Sequence, residues 1–289
     1  MADDRTMVSY AQNCEDVMLR RCFRGRRDGF YIDVGAWDPT RDSTTRHFYE
    51  RGWRGVNVEP SPHHFAAFPA ARPRDVNLNV ALGPAPGEVV LHEFPGTPLS
   101  TTRRAWARSF AKLGLTGGER VVPVTTLRAV CEQYADRPID FLKIDVEGDE
   151  LDVIAGGAWD AWRPRVVLVE ALSPYVRVPT WQAWEGVLLS QRYEFAYFDG
   201  LNRFYVRQED RALASHFTTP PNLFDYFTPW RLARLEERCR AWQVERPAAL
   251  AGAAALEGLA AAQAGPDAAA TLGRAAGLLR GFADWFEAE

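Results

Sequence analysis

The chain has 289 residues, 47% of them apolar and 25% charged, with a formal net charge of −4 at pH 7. Such values belong to ordinary globular chains long enough to bury a full core, with no run near the ~20 consecutive apolar residues that cross a bilayer, so disorder and a membrane span are excluded. A slightly acidic chain also lacks the clustered Lys and Arg on which nucleic-acid affinity rests, and no nucleic-acid partner is expected.

In chain order, residues 1–5 lack the apolar stretch of a secretory signal. Cys14, Cys22, Cys131 and Cys239 stand without CxxC or metal-finger spacing, which points to reduced thiols in a cytoplasmic protein. Phe30-Tyr31-Ile32-Asp33-Val34 is a compact apolar run ending at Gly35 and reads as the first buried strand. Residues 42–45 offer N-cap chemistry for a following helix, with Gly52 as its C′ residue. Residues 55–59 are a second strand stopped by Pro60, and residues 76–82 a third. An insertion follows, with strands at 88–94 and 121–124 and a polar loop at 96–102 of the kind that forms lids or substrate-binding elements. Residues 139–145 and 166–170 are the fourth and fifth strands, joined by a helix at 149–155 that Gly156 and Gly157 end. Residues 194–198 and 204–207 bracket Asp199-Gly200-Leu201-Asn202 as a hairpin. Residues 1–210 therefore read as one α/β domain, a mostly parallel sheet with helices on both faces and an antiparallel terminal hairpin. Residues 211–289 read as a helical extension, with helices at 230–245, 248–264 and 267–289. Leu250, Leu256, Leu259, Leu272, Leu278, Leu279, Phe282 and Trp285 give it an apolar face suited to packing or to forming a homo-oligomer.

Three stretches carry chemistry. In Asp33-Val34-Gly35-Ala36, Gly35 lets a ligand approach the strand end, yet Trp37, Asp38 and Pro39 stand where a dinucleotide site needs further glycines. Glu59, ending the second strand, is placed to accept hydrogen bonds from two ribose hydroxyls. In Asp140-Phe141-Leu142-Lys143-Ile144-Asp145-Val146-Glu147-Gly148-Asp149-Glu150, strand alternation puts Lys143 and Asp145 on one face. A lysine inside a strand needs a carboxylate partner. Asp149 and Glu150 are read as first-turn acids of the next helix.

These three motifs, with Ser9-Tyr10-Ala11-Gln12-Asn13-Cys14-Glu15-Asp16 before them and Phe198-Asp199-Gly200-Leu201-Asn202-Arg203-Phe204-Tyr205 after them, resemble the FkbM family of S-adenosylmethionine-dependent methyltransferases. The resemblance covers roughly residues 9–225 and leaves out the Ala-rich tail. It implies a Rossmann-like class I methyltransferase sheet, S-adenosyl-L-methionine as cofactor, and methyl transfer to a hydroxyl of a sugar, glycan or glycosylated natural product. By position, Asp33, Gly35 and Ala36 would line the methionine side of the cofactor, Glu59 would hold the ribose, and Pro60 and Ser61 would lie near the adenine. Asn79, Val80 and Ala81 are candidates for the adenine edge, and Gln12 and Asp16 for closing over the cofactor.

Asp145 and Glu170 are the first candidates for orienting or deprotonating an acceptor hydroxyl, Glu147 the third, and Lys143 the group that fixes a carboxylate. The same acids can alternatively hold a divalent cation such as magnesium. His47, His63 and His64 are read as surface or capping residues. Ser100, Thr101 and Thr102 are candidate acceptor contacts, and Trp106, Tyr175, Trp181, Tyr197 and Tyr205 suffice for a sugar-stacking platform. A nicotinamide-dependent dehydrogenase and a non-catalytic scaffold are the competing readings.

Overall fold

The runs Phe30–Val34 and Val166–Glu170, apolar except for Asp33 and Glu170, are buried along their whole length and form central strands of the computed structural model, which describes residues 6–173, 177–262 and 266–285. Tyr175 lies outside the described residues, as do the side chains of Asp267, Phe282 and Trp285. Two compact units result, one ending at Phe227 and one beginning at Thr228.

The first unit opens with β1 (Met7–Ser9), α1 (Glu15–Cys22), β2 (Phe30–Val34), α2 (Arg46–Glu50), β3 (Arg54–Val58), α3 (Pro62–Phe65), α4 (Phe68–Ala71), β4 (Val76–Leu78) and β5 (Ala81–Leu82). It continues through β6 (Gly87–Glu93), α5 (Arg104–Lys112), β7 (Gly118–Thr125), α6 (Leu127–Tyr134), β8 (Phe141–Ile144), α7 (Glu150–Ala155) and β9 (Val166–Glu170). α8 (Glu185–Ser190), β10 (Tyr193–Phe198) and β11 (Asn202–Arg207) complete it. Seven strands make one sheet in the order β10-β11-β9-β8-β2-β3-β4. β2, β3, β4, β8 and β9 run parallel, and only the terminal hairpin is antiparallel, β11 pairing with both β9 and β10. Strand order thus runs outward from β2 through β3 to β4, then resumes on the other side of β2 with β8. That reversal opens a crevice at the carboxyl ends of β2 and β8, where sheets of this kind bind ligands.

Side-chain alternation fills both faces. Ile32, Val56, Leu142 and Val167 pack against α6 and α7 through residues such as Val130 and Ile154. Tyr31, Phe141, Leu168 and Phe204 pack on the other face against Met18, Leu19 and Phe48 of α1 and α2. Each fully buried aliphatic or aromatic side chain contributes about 1.5–3 kcal/mol, which makes these layers the main source of stability. α2 ends as its Gly52 signal requires. Gly52 takes φ +95°, its N–H donates to Tyr49 O at 3.0 Å and that of Trp53 to Phe48 O at 3.1 Å, a Schellman closure. Residues 208–225 stay with this unit: Phe217 is buried in the second core layer, and Arg21 pairs with Asp225 at 2.5 Å.

Several expectations are corrected. The single strand expected at 76–82 is two, β4 in the main sheet and β5 in a separate three-stranded sheet of order β5-β7-β6. The cause is Asn79 between them, whose Nδ2 donates to Glu59 O at 2.8 Å and Pro60 O at 3.0 Å, a side-chain-to-backbone competition that draws the chain off the ladder. The insertion also holds α5, which no helix signal announced; Ala107 and Phe110 seat it on Phe94 and Leu99.

The second unit is two helices, α9 (Trp230–Ala262) and α10 (Pro266–Trp285). The break expected after residue 245 does not occur, and α9 runs through Pro247. An interior proline costs ~3 kcal/mol, which packing along α10 offsets. Ala253 and Ala276 are almost fully buried, and Arg280 holds both Glu257 oxygens at 2.7 and 2.8 Å. Leu250, Leu256, Leu272 and Leu279 are half-buried, while Leu259 and Leu278 stand exposed. No helix among the described residues is long and apolar enough to cross a membrane.

Glu15 ties the first turn of α1 to the hairpin. Its Oε1 accepts from Asn202 Nδ2 at 2.8 Å and its Oε2 from the Asn13 N–H at 2.8 Å. Burial, and then Asp199, raises its carboxyl from the ordinary 4.5 to about 8. The folded state therefore keeps a proton that the unfolded chain releases, so stability falls as pH rises from about 4.5 to about 8, by up to ~1.4 kcal/mol per pH unit. Glu15→Gln, which mimics the protonated acid, is expected to match wild type near pH 5 and exceed it at pH 8 in urea denaturation. Parallel losses in the two proteins across that range would show that Glu15 does not carry this dependence.

Candidate functional site

The crevice at the carboxyl ends of β2, β3, β8 and β9 opens into a cavity of about 780 Å³. Behind its floor, one residue before the end of β2, Asp33 lies opposite Lys143 in β8 and Asn57 in β3. Lys143 reaches Asp33 Oδ1 at 3.4 Å and Asp145 Oδ2 at 3.3 Å, and donates to Gly35 O at 3.1 Å. Burial alone would lower the Lys143 ammonium, but Asp145 and Asp33 outweigh it and hold the group above its ordinary value, so it stays charged. Burial raises the Asp33 carboxyl despite Lys143 and the Thr45 hydroxyl. Thr45 Oγ1 donates to Asp33 Oδ2 at 3.1 Å, and the Thr45 side chain, at the N-cap position, makes no capping bond to α2, which corrects the capping role expected of it.

Gly35 takes φ +78°, and its N–H and that of Ala36 both donate to Val58 O, at 3.0 and 3.1 Å. A Cβ at Gly35 would lie 1.7 Å from Asp145 O, so only glycine lets the ends of β2 and β8 close together. Beyond β3, Glu59 is buried with both oxygens engaged. Trp37 N–H donates to Oε2 at 2.9 Å and Ser61 N–H to Oε1 at 2.8 Å.

Of the residues expected near a cofactor, Gln12, Gly35, Ala36, Glu59, Pro60, Val80, Ala81 and Asp145 face the cavity, as do Lys143, Glu147 and Glu170. Asp33, Ser61 and Asn79 stand behind its wall. Ser61 Oγ donates to Glu93 Oε1 at 2.5 Å and Asn79 grips backbone, so both shape the wall without facing the space. Asp16 is also structural, accepting from Ser9 Oγ at 2.6 Å and Tyr10 N–H at 2.8 Å.

The acids Asp145, Glu147 and Glu170 converge. Burial, then Asp145 and Glu150, pushes the Glu147 carboxyl well above the usual carboxylate range; burial, then Asp145 and Glu147, does the same to Glu170. Glu147 sits at φ +53°, a left-handed position that Thr101 braces by donating to its carbonyl at 2.7 Å. The insertion loop is fastened further to this turn by Thr102 to Asp149 and by Arg103 to Gly148 O at 3.2 Å. Ser100 and Thr102 face the cavity, whereas Thr101 only supports the turn. Asp199, Gly200 and Leu201 of the hairpin turn form another part of the rim.

The aromatic platform is not where it was expected. Trp106, Trp181, Tyr197 and Tyr205 do not face the cavity; Trp181 lies under Arg203 at 4.1 Å, and Tyr205 donates to Glu185 at 2.9 Å. Trp37 faces it instead, at φ +51°, with Arg41 stacked over its ring at 4.3 Å and His64 edge-on at 6.4 Å. His64, read as a surface residue, lines the cavity 3.8 Å from Glu59, and His47 is buried beside Phe48. Trp37 breaks the glycine pattern, which is a signal in the sequence; His64 had none.

A parallel sheet with a switch-point crevice, a buried acid one strand from a glycine-closed turn and a cluster of carboxylates defines an α/β small-molecule site. Residues 33–195, more than half of the chain, match the model of the Methyltransferase FkbM domain, and the chain belongs to that methyltransferase family. No match was found among curated proteins.

Proposed function

We propose that this chain is an S-adenosylmethionine-dependent O-methyltransferase with a Rossmann-like class I sheet, acting on a hydroxyl of a sugar, a glycan or a glycosylated natural product. The observation that carries the reading is Glu59. Its two oxygens offer about four acceptor positions, of which the Trp37 and Ser61 N–H groups use two. The remainder suits two vicinal ribose hydroxyls. A cavity of about 780 Å³ has the size of ordinary cofactor sites.

Pro60, Val80 and Ala81, with Trp37 and His64, would form the adenine wall, and Gly35, Ala36 and Gln12 the methionine side. Bound there, the cofactor supplies a methyl group on a sulfonium sulfur. Asp145 and Glu170 would orient the acceptor hydroxyl or take its proton, with Glu147 beside them, while Lys143 fixes Asp33 and Asp145. Holding acceptor oxygen and methyl carbon in line supplies most of the rate gain. A cytoplasmic location belongs to the same reading, supported by the four unpaired cysteines. So does self-association through α9 and α10, supported by exposed Leu259 and Leu278.

The test is calorimetric titration of the full chain with S-adenosylhomocysteine. Wild type is expected to bind with micromolar affinity, and Glu59→Ala to lose at least tenfold. Glu59→Gln, which keeps one acceptor oxygen, is expected to fall between them. Absence of binding to wild type would overturn the cofactor reading, and equal affinity in all three proteins would remove Glu59 as the ribose anchor.

A further inference from the structure

We infer that Asp145, Glu147 and Glu170 form a binding site for one divalent cation of the oxygen-preferring kind: magnesium, manganese or calcium. This goes beyond the methyl-transfer reading and stands without it. One ligand oxygen from each residue lies within 4.8 Å of the other two. Oxygens around such an ion at ~2.1–2.6 Å are separated by at most roughly 4–5 Å. The triad therefore already has the span of a coordination shell.

A second observation is independent of the clustering. Glu147 and Glu170 are only 8% and 7% exposed, and Oε2 of each is buried with no hydrogen-bond donor. A buried carboxylate oxygen without a partner is costly, and a cation in the adjoining cavity satisfies both atoms at once. Among the described residues no positive side chain forms an ion pair with them, although Lys143, which is divided between Asp33 and Asp145, acts on Glu147 from a distance.

Asp145 and Glu147 sit on the turn that follows β8, and Glu170 at the end of the neighbouring β9. The Asp145 N–H donates to Val34 O at 3.0 Å, Glu147 sits on the turn braced by Thr101, and Glu170 lies opposite Asn202 at the end of β9. An all-carboxylate set, with no His or Cys, selects hard cations over zinc or copper. The site faces the cavity, with room for water or an acceptor oxygen to complete the shell.

The experiment is titration of the full chain with manganese(II), reading free ion by electron paramagnetic resonance, for wild type, Glu147→Gln, Glu170→Gln and the surface control Glu132→Gln. Far-UV circular dichroism of each variant establishes that it is folded. One manganese ion per wild-type chain, displaced by magnesium, is expected. Either site variant should weaken binding at least tenfold, and the control should not change it. No stoichiometric binding to wild type, or binding that survives both site substitutions, overturns the inference. S-adenosylhomocysteine calorimetry on the same samples reads the cofactor site separately, so the two proposals fail by different results.

Discussion

Gly35→Ala is expected to destabilise the first unit by about 2–5 kcal/mol and to abolish binding of S-adenosylhomocysteine, because it combines a left-handed backbone penalty with overpacking. At φ +78° the new methyl group would lie 1.7 Å from Asp145 O and 2.8 Å from its carbonyl carbon. Neither strand end can retreat easily. The Asp145 N–H is bonded to Val34 O, the Gly35 and Ala36 N–H groups to Val58 O, and the Gly35 carbonyl to Lys143. Urea denaturation gives the stability change and calorimetry the affinity. A variant within 0.5 kcal/mol of wild type that still binds the analogue would mean that β2 and β8 are not clamped at this point.

Lys143→Met should cost about 3–5 kcal/mol, the loss seen when one partner of a buried ion pair is removed. Lys143 is the cation shared by Asp33 and Asp145, at 3.4 and 3.3 Å, and Asp33 has no other salt-bridge partner among the described residues. Removing the ammonium leaves Asp33 buried with the Thr45 hydroxyl as its one remaining side-chain hydrogen-bond donor among the described residues and Arg72 acting from a distance. The double variant Lys143→Met with Asp33→Asn should be less damaged than the two single losses added together, with an interaction energy of about 1–3 kcal/mol. Strictly additive losses in denaturant titrations would refute the pairing as the source of the cost.

What was legible in the sequence follows from where local pattern and tertiary environment agree. β2 and β9 are apolar except for Asp33 and Glu170 because both of their faces are covered, so composition bounded them. The Asp199-Gly200 turn declared the hairpin, and a lysine within an apolar strand required the carboxylates it meets. Elsewhere distant contacts decided. Residues 76–82 are apolar enough for one strand, and only the grip of Asn79 on the backbone after β3 divides them. α5 is short and arginine-rich, and its reason to be helical is the Phe94 and Leu99 surface that Phe110 covers. Pro247 reads as a break until α10 lies alongside. At the site, motif and strand end coincide at Asp33 and Asp145, of which only Asp145 faces the cavity, while the cavity-facing His64 depends on how α3 sits beyond β3. Aromatic residues carry little positional information in sequence, and the ring that reaches the cavity is Trp37, on a turn whose left-handed backbone no spacing revealed.

The cavity rim joins parts of the chain that are synthesised far apart. Asn13 donates to Asp199 O at 3.1 Å, and Asn202 donates to Glu15 at 2.8 Å, bonds that span 186 and 187 positions. Contacts so distant in sequence close late and slowly, since the loop entropy is lost before they contribute. On the ribosome, β2 through β9 can align while the hairpin is still inside the exit tunnel, but the last wall waits for residue 202. A nascent chain therefore has a sheet before it has a site.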